Sequence, residues 1–264
     1  MPRIIVCLKQ SVDVSQLKAD PSTGRLVTAG VSRKISDFDK NALEEAIRIK
    51  EKNGWELATV TVNFEEVKAS IREALAMGAD KGFVVLDEAL KGSDTWVTSS
   101  VLAKAVGKIG EFDLILCGEA SIDGFSAQVG PRLGELLKIP VITYARKINI
   151  TEKTVQVERV LEDQYETVEA NLPALVTVTK EINEPRIPSL MAIMKASKKE
   201  IVTWKLADIE VSAEEVGESG SGVRILDVTV PQVGRKKIRI EGETAAEIAE
   251  KLVKELVKEG VVGK

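Results

Sequence analysis

Apolar and polar positions recur along the chain with two different periods, and the period changes near residue 145. Before that point, compact apolar runs at 4–8, 57–62, 82–86, 114–117 and 141–144 have the length of strands buried on both faces. Helix-period segments lie between them. Residues 42–52 carry Leu43, Ala46 and Ile47; 65–77 carry Ile71, Ala74 and Leu75; 97–108 carry Val101, Leu102, Ala105 and Val106. Each set, spaced i, i+3, i+4, makes one apolar helix face. Gly78 stands where a helix C-cap is expected. The turn Asp20-Pro21-Ser22-Thr23-Gly24, flanked by 15–17 and 25–28, predicts a small hairpin after the first strand.

Strands alternating with helices predict right-handed crossovers and a mainly parallel sheet with helices on both faces, a Rossmann-like α/β fold. After Tyr144 the runs 146–150, 154–161, 165–169 and 174–178 are short, alternating and turn-separated. They predict antiparallel strands added to the sheet edge. A loop is expected at 180–188, which holds Pro185 and Pro188. A helix is expected at 189–197, with Leu190, Ile193, Met194 and Lys195 at helical spacing. Residues 206–234 lack apolar periodicity, and Glu218-Ser219-Gly220-Ser221-Gly222 suggests a flexible stretch. Thr244-Ala245-Ala246-Glu247 is a capping box that opens a last helix through Ile248, Leu252 and Leu256. The expected organisation is an α/β domain over 1–205, then an arm and helix over 206–264. That tail either packs on another chain or folds back on its own domain.

Composition narrows the chemistry. With no histidine among 264 residues, Ser-His-Asp and Cys-His catalysis and His-based metal sites are excluded. The two cysteines, Cys7 and Cys117, form neither a CxxC pair nor a thiolate cluster. If the chain handles electrons, a bound organic cofactor carries them. A net charge of −4 offers no global field for nucleic acid. No apolar run approaches the ~20 residues that span a bilayer. The first residues enter a strand directly, as in a cytoplasmic protein. Abundant Lys and Glu would suit a thermophile.

In an open parallel sheet, ligands sit at the carboxyl ends of the strands. Cys7-Leu8-Lys9, Val62-Asn63 and Cys117-Gly118 end three of them. The last runs into Gly118-Glu119-Ala120-Ser121-Ile122-Asp123-Gly124-Phe125-Ser126-Ala127-Gln128-Val129-Gly130-Pro131, which opens a helix through Leu133, Leu136 and Leu137. Small residues and a helix start make this loop a candidate cradle for a pyrophosphate or adenylate; an ordinary surface loop with a capped helix has the same spacing. There is neither GxxxxGK[ST] nor GxGxxG. Asp37-Phe38-Asp39-Lys40 opens the first helix, either as plain capping or as a wall against adenine or ribose. Thr143-Tyr144-Ala145-Arg146 borders the same crevice. An Arg beside an isoalloxazine would stabilise the reduced anion; alternatively Arg146 pairs with a carboxylate such as Glu162 or Glu166. Lys195-Ala196-Ser197-Lys198-Lys199, after Leu190, Met191, Ile193 and Met194, is a solvated helix end or an apolar docking knob flanked by charge.

Residues 157–177 run from Val157-Glu158-Arg159-Val160-Leu161 through Glu162-Asp163-Gln164-Tyr165-Glu166 to Ala170-Asn171-Leu172-Pro173-Ala174-Leu175. This segment closely resembles the signature of electron transfer flavoprotein beta subunits. Asn183-Glu184-Pro185-Arg186, Ile193-Met194-Lys195-Ala196-Ser197-Lys198-Lys199 and Ala74-Leu75-Ala76-Met77-Gly78-Ala79-Asp80 extend the likeness over 2–262. Gln164 departs from the small or acidic residue usual at its place.

The resemblance implies a heterodimer with an alpha subunit that carries a mobile FAD domain. The beta subunit would bind a nucleotide: structural AMP in many members, or a second FAD that accepts hydride from NADH in electron-bifurcating ones. Carried over by motif, the nucleotide contacts fall on Cys7, Lys9, 37–40, Val62 and 118–129. AMP-type members tend to carry Asn-Gln-Thr-Gly where this chain has Ala127-Gln128-Val129-Gly130. Residues 123–131 with 143–146 look like the bifurcating group, with Phe125 in place of the Asp common there. The family's partner loop falls on 188–195, with Leu190 as its apolar anchor. The implied role is electron carriage between NADH or dehydrogenases and a respiratory, quinone-reducing or ferredoxin-linked acceptor. Two other classes fit the sheet less well. A universal-stress-type module needs a Gly-rich phosphate loop followed by Ser/Thr, and a pyrophosphatase-loop ligase needs Ser-Gly-Gly-x-Asp-Ser after the first strand.

Overall fold

Successive residues of strand β1 (Arg3–Cys7) point to opposite faces of the sheet, and both faces are covered. Ile4 and Val6 enter a core closed by helices α1 (Asp37–Asn53) and α2 (Lys68–Met77). Ile5 and Cys7 enter a second core, closed by α3 (Thr95–Ile109) and α4 (Val129–Leu137). Ile4, Ile5, Leu43, Leu116 and Leu133 are among the fully buried side chains, each worth about 1.5–3 kcal/mol of burial.

The computed structural model describes residues 1–20, 22–230 and 236–263. Pro21 of the predicted turn and the end of the aperiodic stretch, 231–234, lie outside the described residues. The remaining strands of the large sheet are β2 (Glu56–Asn63), β3 (Lys81–Leu86), β4 (Leu114–Gly118), β5 (Val141–Ile150), β6 (Thr154–Val160), β7 (Tyr165–Asn171), β8 (Ala174–Val178) and β9 (Ile201–Trp204). Together with β1 they form one nine-stranded sheet in the order β7-β6-β5-β8-β4-β1-β2-β3-β9. Its pairings are parallel from β5 to β9; only the pairings β5–β6 and β6–β7 are antiparallel, a meander beyond β5. This is the mainly parallel, doubly covered sheet that the sequence predicts.

Three expectations are corrected. Residues 174–178 are not an antiparallel edge strand: β8 lies between β4 and β5, parallel to both. All five of its residues are buried, as a strand covered on both faces requires. Residues 141–144 and 146–150 are one strand, β5, with irregular register at its middle. The stretch 218–222 is held rather than loose. Gly217–Gly220 form a helical turn, Ser221 Oγ donates to Gly217 O, and Asp94 accepts the amides of Gly222 and Val223. Upstream of it, Leu206, Ile209 and Val216 are buried in the α3–α4 core.

The described chain divides into two compact units: Met1–Lys18 with Leu26–Val228, and Ala19–Arg25 with the described part of Thr229–Lys264. Lys18–Ala19 and Leu26–Val27 are short strands on either side of the predicted turn. In the second unit Arg25 bridges Thr229. Helix α6 comes after α5 (Leu190–Ala196) and spans Ala245–Lys258. Thr244 caps α6 as predicted, but Glu247 reaches the amide of Glu243 rather than that of Thr244. Its Ile248, Leu252, Val253 and Val257 are exposed. Among the described residues, no helix is long and apolar enough to cross a membrane.

Candidate functional site

The carboxyl ends of β1 and β4 are fastened together by one side chain. Asp39, in the first turn of α1, accepts the Lys9 amide at 2.7 Å and the Gly118 amide at 3.0 Å. Burial pushes its carboxyl up to about 7, against the pull of those two amides and of the Lys9 charge. The helix approaches so closely because residue 118 lacks a side chain. A Cβ there would lie 2.6 Å from Phe38 Cβ and 2.7 Å from Asp39 Oδ1. Asp39 is therefore no helix cap: Ser36 precedes the helix, and its Oγ accepts the Ile122 amide at 3.1 Å.

Above this floor the loop after β4 folds over Lys9. The Lys9 ammonium lies 2.7 Å from Asp123 Oδ1 and 3.4 Å from Ser121 Oγ. Burial alone would raise the Asp123 carboxyl, but Lys9, with the Ser121 hydroxyl and the Gly124 amide, outweighs it and holds it below the ordinary carboxylate value. The loop is strained at two non-glycine residues, Phe125 (φ 46°) and Ala127 (φ 54°), at about 1–3 kcal/mol each. Phe125 packs its ring 5.8 Å from that of Phe38 and remains 65% exposed. The loop ends in α4, whose amino end has no side-chain cap, since Gln128 accepts instead from the Thr95 hydroxyl. The first-turn amides of Val129 and Gly130 have no partner within the helix, Pro131 has no amide hydrogen, and the positive end of the helix dipole lies where the loop enters α4.

The β5 crevice is tied to this loop through Thr177 of β8. A Cβ at Gly130 would lie 2.5 Å from Thr177 Cγ2, and Thr177 Oγ1 accepts the Tyr144 amide at 3.2 Å. Thr143 and Tyr144 bulge there, between the pairs Ile142–Val176 and Ala145–Val178. Tyr144 takes φ 61° and leaves its ring 40% exposed. Bulges of this kind re-aim side chains beside sites. Arg159 pins the bulge, with Nε 2.8 Å from Thr143 O and one terminal nitrogen 3.0 Å from Thr143 Oγ1.

Hydrogen bonds and packing thus join Lys9, Phe38, Asp39, Gly118, Ser121, Ile122, Asp123, Gly124 and Phe125 at the carboxyl ends of β1 and β4, and Thr177 ties Gly130 to Tyr144; Glu119, Ala120, Ser126, Ala127, Gln128, Val129 and Pro131 belong to the same loop and the helix it opens. Other predicted residues turn elsewhere. Cys7 and Cys117 are buried in the α3–α4 core, where their mutual hydrogen bond and burial push the Cys117 thiol up. Val62 packs on that core too. Asp37 pairs with Lys34 at 2.9 Å and Lys40 with Glu73 at 2.5 Å. Arg146 is 2.8 Å from Glu158 Oε1, with its guanidinium 3.9 Å over the Tyr165 ring. Its carboxylate partner is therefore Glu158, while Glu166 pairs with Arg159. Leu190, Met191, Ile193, Met194 and Lys195 lie on α5, exposed, on the α1–α2 side of the sheet. Ser36, Thr177 and Arg159 were not singled out from the sequence; nothing local marks a hydroxyl or a guanidinium that holds a distant loop.

Comparison with known proteins gives the family. A profile of the electron transfer flavoprotein domain matches residues 23–209. The electron transfer flavoprotein subunit beta of Thermoanaerobacterium thermosaccharolyticum is 42% identical over 233 residues, covering 88% of this chain and 89% of that protein. The caffeyl-CoA reductase-Etf complex subunit CarD of Acetobacterium woodii is 39% identical, covering 98% of this chain and all of that one. The subunit beta of Clostridium acetobutylicum is 37% identical over 252 residues. Beta subunits of this kind pair with an alpha subunit, and their role is electron transfer. The profile match and these near full-length relatives place the chain in the beta-subunit family of electron transfer flavoproteins.

Proposed function

We propose that this chain, paired with an alpha subunit, holds an FAD of its own in the cleft at the ends of β1 and β4 and takes part in flavin-based electron bifurcation from NADH. The observation that carries the reading is the amino end of α4, uncapped by any side chain and entered from a strained, small-residue loop over Lys9. That donor set suits a pyrophosphate: backbone amides and one ammonium. The loop also lacks the Asn-Gln-Thr-Gly run expected of AMP-type members. CarD, 39% identical, is by name a subunit of a caffeyl-CoA reductase-Etf complex.

A bound FAD supplies hydride acceptance from NADH and delivery of single electrons to two acceptors. The chain's own residues bind and orient. The α4 amides and Lys9 hold the phosphates, and Lys9 exchanges its Asp123 partner for them. Asp39 keeps the two strand ends at fixed separation beneath. Tyr144 and the bulge wall the cleft on the β5 side. The exposed apolar residues of α5 dock the flavoenzyme that exchanges electrons with the complex, here an acyl-CoA reductase type by analogy with CarD.

An anaerobic NADH titration of the purified alpha–beta complex tests the reading. Flavin absorbance should bleach fully, with about two hydride equivalents consumed per heterodimer. A complex whose flavin NADH leaves oxidised is an AMP-type electron carrier instead.

A further inference from the structure

Helix α5 has only seven residues, and Leu190, Met191, Ile193 and Met194 are 81%, 62%, 49% and 65% exposed. So short a helix with so little buried is not stable by itself. Both of its ends are fastened. Upstream, Arg186 sends Nε to Glu44 Oε2 at 2.8 Å and one terminal nitrogen to Glu44 Oε1 at 3.2 Å. Its backbone amide also reaches Glu44, at 3.1 Å, and its fork grips Glu51 at 2.6 and 3.0 Å. Asn183 exchanges hydrogen bonds with Asn41: Asn41 Nδ2 donates to Asn183 O at 2.7 Å, and Asn183 Nδ2 to Asn41 O at 3.0 Å. Downstream, Arg72 of α2 donates to the carbonyls of Ala196 and Lys199 at 2.6 and 2.7 Å.

The upstream clamp is unlike a surface ion pair. The Glu44 side chain is 3% exposed. Burial would raise its carboxyl, yet hydrogen bonds from Arg186 and Arg48 hold it below the ordinary value. A carboxylate buried this far is retained at a desolvation penalty that only a well-formed partner offsets. What the pair secures is the angle at which the segment before α5, held against α1, enters α5.

We propose that Arg186, gripping Glu44 and Glu51, is a positioning residue for partner docking: it orders α5 so that its apolar face is presented in one orientation. The clamp sits on α1, the helix whose first turn holds Asp39 under the cleft. The docking helix is thereby fixed to the element that builds the cofactor floor. This inference rests on the reading of α5 as the partner-docking helix.

The test uses the cofactor-loaded alpha–beta complex and a flavin-dependent acyl-CoA reductase with which the wild-type complex exchanges electrons with saturable kinetics. Arg186→Ala is expected to raise the KM for that reductase about tenfold, with kcat and flavin content unchanged. Arg186→Lys keeps the charge without the fork and should recover part of the loss. Leu190→Ala should raise KM by itself, and the double variant should be no worse than the worse single one, because Arg186 acts through α5. Amide exchange over 189–197 should speed up in Arg186→Ala while that of Lys9 and Gly118 stays as in wild type. If Leu190→Ala raises KM and Arg186→Ala does not, the clamp does not position the helix. If the two losses multiply, Arg186 acts by another route. If neither variant changes KM, the docking reading itself falls. Should Arg186→Ala fail to assemble, Asn183→Ala and Arg186→Lys put the same question.

Discussion

Asp39→Asn removes the one buried carboxylate that joins the ends of β1 and β4. In the folded protein the group titrates near 7; its ordinary value is 3.8. An acid raised in this way binds a proton in the native state that the unfolded state has already released. Its stabilising contribution is therefore complete below about 3.8, falls as pH rises, and is lost once pH passes 7. A gap of about three pKa units corresponds to about 4 kcal/mol across that window. The asparagine variant cannot titrate, so the difference between the two proteins isolates this group from every other. The assay is denaturant unfolding of the alpha–beta complex, wild type against Asp39→Asn, at intervals from pH 4.5 to 8. Wild type should lose stability relative to the variant as pH rises, by an amount of that order. A difference flat in pH would mean that Asp39 stays charged throughout, fully compensated by the Lys9 and Gly118 amides, and the account of the cleft floor would be wrong.

Other substitutions probe the rest of the site. Gly118→Ala places a methyl 2.6 Å from Phe38 Cβ, so α1 must back away from β4; overpacking of this kind costs about 1–3 kcal/mol and should lower both the unfolding midpoint and cofactor retention. A variant as stable as wild type would show that the contact is slack. Arg146→Ala should leave the two-electron potential of the flavin assigned to this chain as in wild type, because Glu158 and Tyr165 hold its guanidinium. A redox titration that finds a drop of ~20 mV, about 1 kcal/mol for such a couple, would return Arg146 to the site. Asp123→Ala frees Lys9 from its 2.7 Å partner and should tighten cofactor binding; weaker binding in a reconstitution titration would make Asp123 itself a ligand.

The parallel core was legible because its signal is local. The five apolar runs before residue 145 and the helical faces between them fall on β1 to β5 and α1 to α3. The run of the 118–131 loop into α4 was legible from its small residues and the helix that follows. The placement of β8 was misread although its composition, Ala-Leu-Val-Thr-Val, is that of a strand buried on both faces. Its neighbours in sequence are antiparallel, and period alone does not say which strands it pairs with. β9 escaped notice because four residues between charged neighbours give no periodic signal. The Glu44–Arg186 and Asn41–Asn183 clamps join residues 142 apart in sequence; only the fold shows that Glu44 on the first helix is buried and waiting for a guanidinium. Arg146 misled because a cation at a strand end is the same in sequence whether it faces a flavin or a glutamate one strand away.

The central claim is that this chain itself holds a flavin. The direct measurement is the nucleotide content of the purified, cofactor-saturated alpha–beta complex, released by denaturation and quantified by chromatography. Two FAD and no AMP per heterodimer is the predicted result. One FAD with one AMP would contradict it, leaving a beta subunit whose cleft holds a structural nucleotide and an alpha subunit that alone carries the electrons.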